Sequence, residues 1–217
     1  MLRNIRIGIR PSRLSFKQFE EIQGKLNGVS LIPVLIETSG DRDKMTPLEG
    51  VTAQDFFTDA IERALLKKRI DAAIHSAKDI DSGGDARLMI AAITASINPY
   101  DCLVSREGAA LDALPLGARI GTSSLARKEG ILKYRKDLTV GDIRGNVDNR
   151  LQQLDHGAFD AIIVAEAALI RLGLESRISW RIPEKIIQPH PLQGRLAIQV
   201  RKERRDLKKV FEGLHEH

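Results

Sequence analysis

Ile5-Arg6-Ile7-Gly8-Ile9-Arg10-Pro11-Ser12-Arg13-Leu14 is the stretch on which the fold class turns. Ile5, Ile7 and Ile9 alternate with polar or small residues, the period of a strand with one face buried. Ser12 then stands where a helix N-cap is needed, and Phe19, Ile22 and Leu26 follow at helical spacing on the inner face. A strand thus runs through a short polar turn into a helix. The same sentence recurs downstream. Leu31 to Ile36 reads as a second buried strand, and Phe56, Phe57, Ala60, Ile61, Ala64 and Leu65 form a wide apolar helical stripe. Asp71 to Ile74 is a strand ending at His75-Ser76, and Leu88 to Ile93 and Cys102 to Val104 are two more. Ala118 to Gly121 leads through Thr122-Ser123-Ser124 into a helix from Leu125. Leu138 to Ile143 leads through Arg144-Gly145-Asn146 into a helix carrying Val147, Leu151 and Leu154. Ala161 to Val164 is an apolar strand, followed by the segment Ala167 to Leu172. Strands alternating with helices predict α/β layers with mainly parallel β-sheets flanked by helices.

Turn chemistry divides the chain. Ser82-Gly83-Gly84 reads as a surface turn, Asn98-Pro99 as a crossing point, and Gln188-Pro189-His190-Pro191 as a second break. The expected organisation is one lobe from 1–97 plus 192–217 and another from 98–191. At 217 residues there is length for two cores.

Composition narrows the chemistry. Apolar residues make up 42% and charged residues 29%, the balance of an ordinary folded protein. The apolar runs are short and no signal-like segment opens the chain, so a cytoplasmic, membrane-free protein is expected. A single cysteine, Cys102, excludes an internal disulfide framework, and the spacing of the five histidines predicts no metal site. The net charge of +5 asks for an anionic partner. The basic residues are dispersed, aromatics are scarce and no nucleic-acid-binding motif is present, so nucleic acid is not the expected partner.

In open α/β sheets, ligands sit beyond the carboxyl ends of strands. The polar residues there are Arg10, Ser12, Thr38, Gly40, Asp41, His75, Ser76, Lys78 and Asp79. The second half adds Thr122, Ser123, Ser124, Arg127, Arg144, Gly145, Asn146, Arg150 and Arg171. Five arginines and a lysine in such places suit a polycarboxylate, because guanidinium forks take carboxylates in bidentate fashion. Each residue also has an ordinary structural use: surface ion pairs for Arg150 and Arg171, helix capping for Thr122-Ser123-Ser124, a buried hydrogen-bonded role for His75, and a small apolar role for Cys102.

The order of these segments resembles the hydroxymethylbilane synthase (porphobilinogen deaminase) family. Ile7 to Leu14 is similar to that family's opening motif, and Thr38-Ser39-Gly40-Asp41 to its Thr-x-Gly-Asp. Asp71-Ala72-Ala73-Ile74-His75-Ser76-Ala77-Lys78-Asp79 resembles its Asp-x-Ala-Val-His-Ser-x-Lys-Asp. Leu114-Pro115-Leu116-Gly117, Gly121-Thr122-Ser123-Ser124-Leu125, Arg144-Gly145-Asn146-Val147 with Arg150, Phe159-Asp160-Ala161-Ile162 and Leu169-Ile170-Arg171-Leu172-Gly173 follow in register, from near residue 5 to near residue 201.

The resemblance implies two lobes like a type II periplasmic binding protein, with the ligand cleft between them. It implies a transferase of tetrapyrrole and haem biosynthesis that condenses four porphobilinogen units into linear hydroxymethylbilane and releases ammonia. Asp79, with Lys78, would be catalytic. Arg10, Ser12, Arg127, Arg144, Asn146, Arg150, Arg171, Thr122, Ser123 and Ser124 would bind the carboxylates of substrate and dipyrromethane cofactor. The alternative is a non-catalytic binding protein for a pyrrole or another polycarboxylate.

Three departures accompany it. The family's third domain, bearing the cofactor cysteine, would begin about where this sequence ends. The dipyrromethane is therefore expected to be non-covalent or absent, with a separate chain as one possible source of that domain and a monomer otherwise. Cys102 matches a non-cysteine position and is assigned no attachment role. Ala126 replaces one of a pair of arginines. The family's Gly-rich loop reads Val51-Thr52-Ala53-Gln54-Asp55-Phe56-Phe57, with Gln54 in place of a lysine and a negative charge at Asp55.

Overall fold

A computed structural model describes residues 4–42, 53–80 and 84–216, with 42 and 53–57 as backbone only. The strands are β1 (Asn4–Ile9), β2 (Ser30–Leu35), β3 (Ala72–Ser76), β4 (Leu88–Ile93), β5 (Asp101–Ser105), β6 (Arg119–Gly121), β7 (Thr139–Gly141), β8 (Ala161–Ala165), β9 (Trp180–Arg181) and β10 (Leu196–Arg201). The helices are α1 (Arg13–Gly24), α2 (Ser39–Arg42), α3 (Ala53–Leu66), α4 (Leu125–Tyr134), α5 (Val147–Asp155), α6 (Glu166–Leu172) and α7 (Arg205–Phe211). The Ser82-Gly83 turn and the side chains of the 51–57 segment, Gln54, Asp55, Phe56 and Phe57 among them, lie outside the described residues.

The chain forms two units. Unit 1 holds the described residues up to 97 and resumes at 195, and unit 2 spans Asn98–Gly194. In unit 1 the sheet order is β2-β1-β3-β10-β4. β1 runs parallel to β2 and to β3, whereas β10 runs antiparallel to β3 and β4. The alternation of β1 is realised as Ile5, Ile7 and Ile9 on one face, packed with Ile22 of α1, Ile74, Ile198, Leu207 and Phe211. The other face packs Ile36, Ile61, Leu65, Ile70 and Ala73. Gly8 makes that second contact close: a Cβ there would lie 2.4 Å from Ile70 Cδ1.

Unit 2 repeats the plan with the order β7-β6-β8-β5-β9. β6 is parallel to β7 and β8, and β5 is antiparallel to β8 and β9. β8 is covered on both sides, with Ile163 facing Leu103, Ile120 and Ile131, and Ile162 and Val164 facing Val104, Leu151 and Leu169. That explains its unbroken apolar run, where an alternating strand would leave one face wet.

Three expectations change. The sheets are not mainly parallel but mixed, with half of the pairings in each antiparallel. Parallel pairing needs a crossover, whereas β5 and β10 form directly after the chain passes from one unit to the other. The strand expected to be buried over Leu31 to Ile36 is an edge strand, and Ile32 and Leu35 are exposed. The strand expected over Leu138 to Ile143 shortens to β7, because both backbone groups of Ile143 bond to Ser123 Oγ instead of a neighbouring strand.

Candidate active site

The three mutually parallel strands of unit 1 end on one edge, and the residues beyond them gather there. Arg10 follows β1 and Asp41 lies in α2, beyond β2. The Arg10 guanidinium donates to Asp41 side-on, with Nη2–Oδ1 at 2.5 Å and Nε 3.2 Å from both carboxylate oxygens. Asp41 also accepts from the Thr38 N–H at 3.0 Å and the Thr38 hydroxyl at 2.7 Å. Burial opposes its ionisation, but Arg10 and Thr38 outweigh burial and hold the carboxyl below its usual value. Ser12 is the N-cap of α1, its Oγ accepting from the Ser15 N–H at 3.2 Å.

β3 delivers the next group. Ser76 accepts from Gln18 Nε2 at 3.0 Å. Lys78 and the partly exposed Asp79 sit in a single 3-10 turn, Ala77–Asp79, directly beyond the strand. His75 points into the protein instead. Burial lowers its pKa to about 4, offset in part by Gln199 and reinforced by Arg10, so the imidazole is neutral. Gln199 in turn donates to Glu62 at 2.7 Å.

Unit 2 also gathers its polar residues beyond parallel strands. After β6, Thr122 is buried and its Oγ1 accepts from the Ser124 N–H at 3.3 Å. Ser123 Oγ donates to the Ile143 carbonyl at 2.7 Å and accepts from the Ile143 N–H at 3.1 Å, tying this loop to the one after β7. Ser124 occupies the N-cap of α4 without a side-chain cap bond. After β7, Gly145 takes φ +96° between Arg144 and Asn146, a conformation that favours glycine. Asn146 caps α5 by accepting from the Asn149 N–H at 2.9 Å. Arg150 Nε returns to the Gly145 carbonyl at 2.9 Å, and Gln153 holds the Arg144 carbonyl at the same distance. Arg171, in the last turn of α6, donates to the Gly194 carbonyl at 3.0 Å.

Arg127 is placed most firmly. Its Nε donates to Asp101 Oδ2 at 3.1 Å, its Nη2 to Asp101 Oδ1 at 2.7 Å, and its Nη1 to the Ile163 carbonyl at 3.3 Å. Asp101 and Gln193, both buried, escaped the sequence reading. Asp101 opens an apolar strand and Gln193 follows a Pro-rich break, so neither carries a periodic signal. The Thr-x-Gly-Asp segment did signal Asp41, though not its pairing with Arg10.

Cys102 is wholly buried, its Sγ donating to the Val164 carbonyl at 3.6 Å. Burial, then the Glu166 and Asp101 carboxylates, push the thiol up to about 12. Among the described residues, no helix is long and apolar enough to cross a membrane.

Comparison with known proteins places these residues in context. The family model described as "Porphobilinogen deaminase, dipyromethane cofactor binding domain" matches residues 5–209. The porphobilinogen deaminase of Desulforudis audaxviator is 40% identical, over 93% of this chain and 66% of its own length. That of Xanthomonas euvesicatoria is 41% identical over 91% and 66%, and that of Syntrophobacter fumaroxidans 36% over 99% and 71%. The chain thus spans about two thirds of the length of these relatives. Among solved structures, the methionine-binding protein MetQ aligns over 97% of this chain and 88% of its own at a TM-score of 0.58 and 13% identity. A putative methionine-binding lipoprotein of Bacillus subtilis aligns over 98% and 90% at 0.54 and 14%. At such identities the likeness concerns the fold, that of two-lobed binding proteins.

Proposed function

The chain belongs to the porphobilinogen deaminase family, and from that premise we propose that it is a hydroxymethylbilane synthase, condensing four porphobilinogen units head to tail. Asp79 is the catalytic carboxylate and Lys78 its neighbour in carboxylate binding. In each condensation the aminomethyl C–N bond breaks and the amine leaves as ammonia after taking a proton. The azafulvenium cation left behind is met by the pyrrole carbon of the acceptor, a C–C bond forms, and that carbon gives up its proton. Release of the product would protonate the carbon that accepted the first unit and break its bond to that unit's methylene, and water then closes the first unit as a hydroxymethyl group. A fixed carboxylate stabilises the cation and carries the proton between the pyrrole carbon and the amine, the combination of electrostatic and acid–base help expected at such a centre.

Ser12, Ser124, Arg10, Arg127, Arg144, Asn146, Arg150 and Arg171 are assigned to the acetate and propionate groups of substrate and growing chain. Thr122 and Ser123 shape the loop that carries Ser124. The same donors suit the carboxylates of a dipyrromethane, which when bound supplies the pyrrole carbon that accepts the first unit. Cys102 is not its anchor, since a thiol with no exposed surface cannot meet it.

The observation that carries this reading is the placement of Lys78-Asp79 immediately beyond β3, on the strand edge where Arg10 and Asp41 already sit. Purified protein is incubated with porphobilinogen, with and without preformed primer, and uroporphyrin is measured after oxidation. Turnover is expected, and Asp79→Asn is expected to lower it at least a hundredfold, the usual scale for a positioned acid–base group. Absence of turnover under both conditions refutes the assignment.

A further inference from the structure

We propose that Asp101 and Gln193 are positioning residues that hold the Arg127 guanidinium ready for a substrate carboxylate, an inference that rests on the synthase reading above. Arg127 lies in the first turn of α4. There the helix dipole disfavours a cation, so helix stability does not account for an arginine at this place. Its charge is met from elsewhere in the fold. Asp101, at the start of β5, takes the side edge of the fork through Nε and Nη2, and the Ile163 carbonyl takes one Nη1 proton. The side chains of Arg127 and Asp101 are only 11% and 5% exposed. A guanidinium has five N–H donors in a rigid plane. Three are engaged in this way by described residues, and among those residues one N–H on each Nη is left for a carboxylate.

Gln193 fixes the carboxylate that fixes the arginine. Its Nε2 donates to Asp101 Oδ1 at 2.8 Å and to the Pro99 carbonyl at 2.8 Å. Pro99 is the second residue after the chain enters unit 2, and Gln193 the second from last before it leaves. The orientation of Arg127 is thereby tied to the two segments through which the chain enters and leaves this unit. Unit 1 holds Arg10 by the same edge, Nε and Nη2, on Asp41. Two arginines of the proposed carboxylate set, one in each unit, are therefore oriented by an internal aspartate on the same face of the fork.

The test is a double-mutant cycle on the full chain. KM and kcat for porphobilinogen, and its Kd by calorimetry, are measured for the wild type, Arg127→Lys, Asp101→Asn and the double variant. Asp101→Asn is expected to raise KM and Kd about tenfold, the scale of one misdirected charge-assisted contact, while kcat changes little. In the Arg127→Lys background the same change should add less than about twofold, because coupled residues are non-additive. A purely structural role would lower the melting temperature and leave KM alone. Should Asp101→Asn fail to fold, Gln193→Met decides, with a severalfold rise in KM expected. An unchanged KM in a folded variant, or additive effects, overturns the proposal. If the wild type neither binds nor turns over porphobilinogen, the synthase reading fails by itself. Phenylglyoxal labelling of Arg127, followed by peptide mass, then judges the positioning: faster labelling in Asp101→Asn upholds the clamp and an equal rate rejects it.

Discussion

Cys102 should be chemically silent in the native protein, and the size of that silence follows from its surroundings. A thiol pushed up to about 12 is ionised at pH 8 in about one molecule in ten thousand, against about one in four for an exposed cysteine of pKa about 8.5. Ionisation alone therefore slows its reactions by about two thousandfold. Thiolate nucleophilicity rises with pKa, which returns a factor of about 25–55, so a net slowing of about 40–100-fold remains. Access then multiplies the effect, because the side chain is 0% exposed and must wait for an opening of β5 and β8. With an aromatic disulfide reagent at pH 8, the native protein should react at least a hundredfold more slowly than the same protein in denaturant. Intact mass should match the unmodified sequence at this residue. A native rate within tenfold of the denatured one refutes the reasoning, as does a dipyrromethane adduct mapped to Cys102.

Three further outcomes are expected. Gly8→Ala brings a methyl to 2.4 Å from Ile70 Cδ1 and 3.3 Å from Ile36 Cδ1; overpacking of this kind costs about 1–3 kcal/mol, visible as a lower urea midpoint, and Ile70→Val should recover part of it. His75 has a native pKa of about 4 against 6.5 when unfolded, so the unfolded chain binds the proton first. Its contribution is present above pH 6.5 and is lost as pH falls through about 4, an effect of about 3 kcal/mol; urea unfolding of wild type and His75→Gln from pH 7.5 to 4.5 should show a shallower acid slope in the variant. Ala126→Arg restores a cation to the first turn of α4 and should tighten porphobilinogen binding by roughly ten- to a hundredfold, the worth of one charge-assisted contact; calorimetry that shows no change removes that turn from the carboxylate site.

The elements most legible in the sequence were those whose period states which face is wet. β1, α1, α5 and β8 could be read because Ile5-Ile7-Ile9, the Ser12 cap, Leu151 with Leu154, and the apolar run at Ala161 to Val164 each encode a burial pattern on their own. β2 misled for the opposite reason: Leu31 to Ile36 is apolar enough for a central strand, and only the pairing order shows it at the edge, with Ile32 and Leu35 exposed. Periodicity also cannot tell a strand that arrives by helix crossover from one that follows directly on a passage between units, so the antiparallel β5 and β10 were invisible until their partners were known.

The same limit applies to the arginines. A count of five predicts a site dominated by net positive charge. The structure supplies Asp41 to Arg10 and Asp101 to Arg127, so two of the five arrive with their charge already opposed. What those two can offer a carboxylate is a fixed orientation more than an unbalanced field, and that orientation depends on Thr38, Pro99 and Gln193, residues whose types carry no sign of it. Side-chain orientation of this kind arises from contacts far apart in the chain, as between Gln193 and Asp101. For that reason motif order could nominate residues for a carboxylate site while leaving their geometry to the fold.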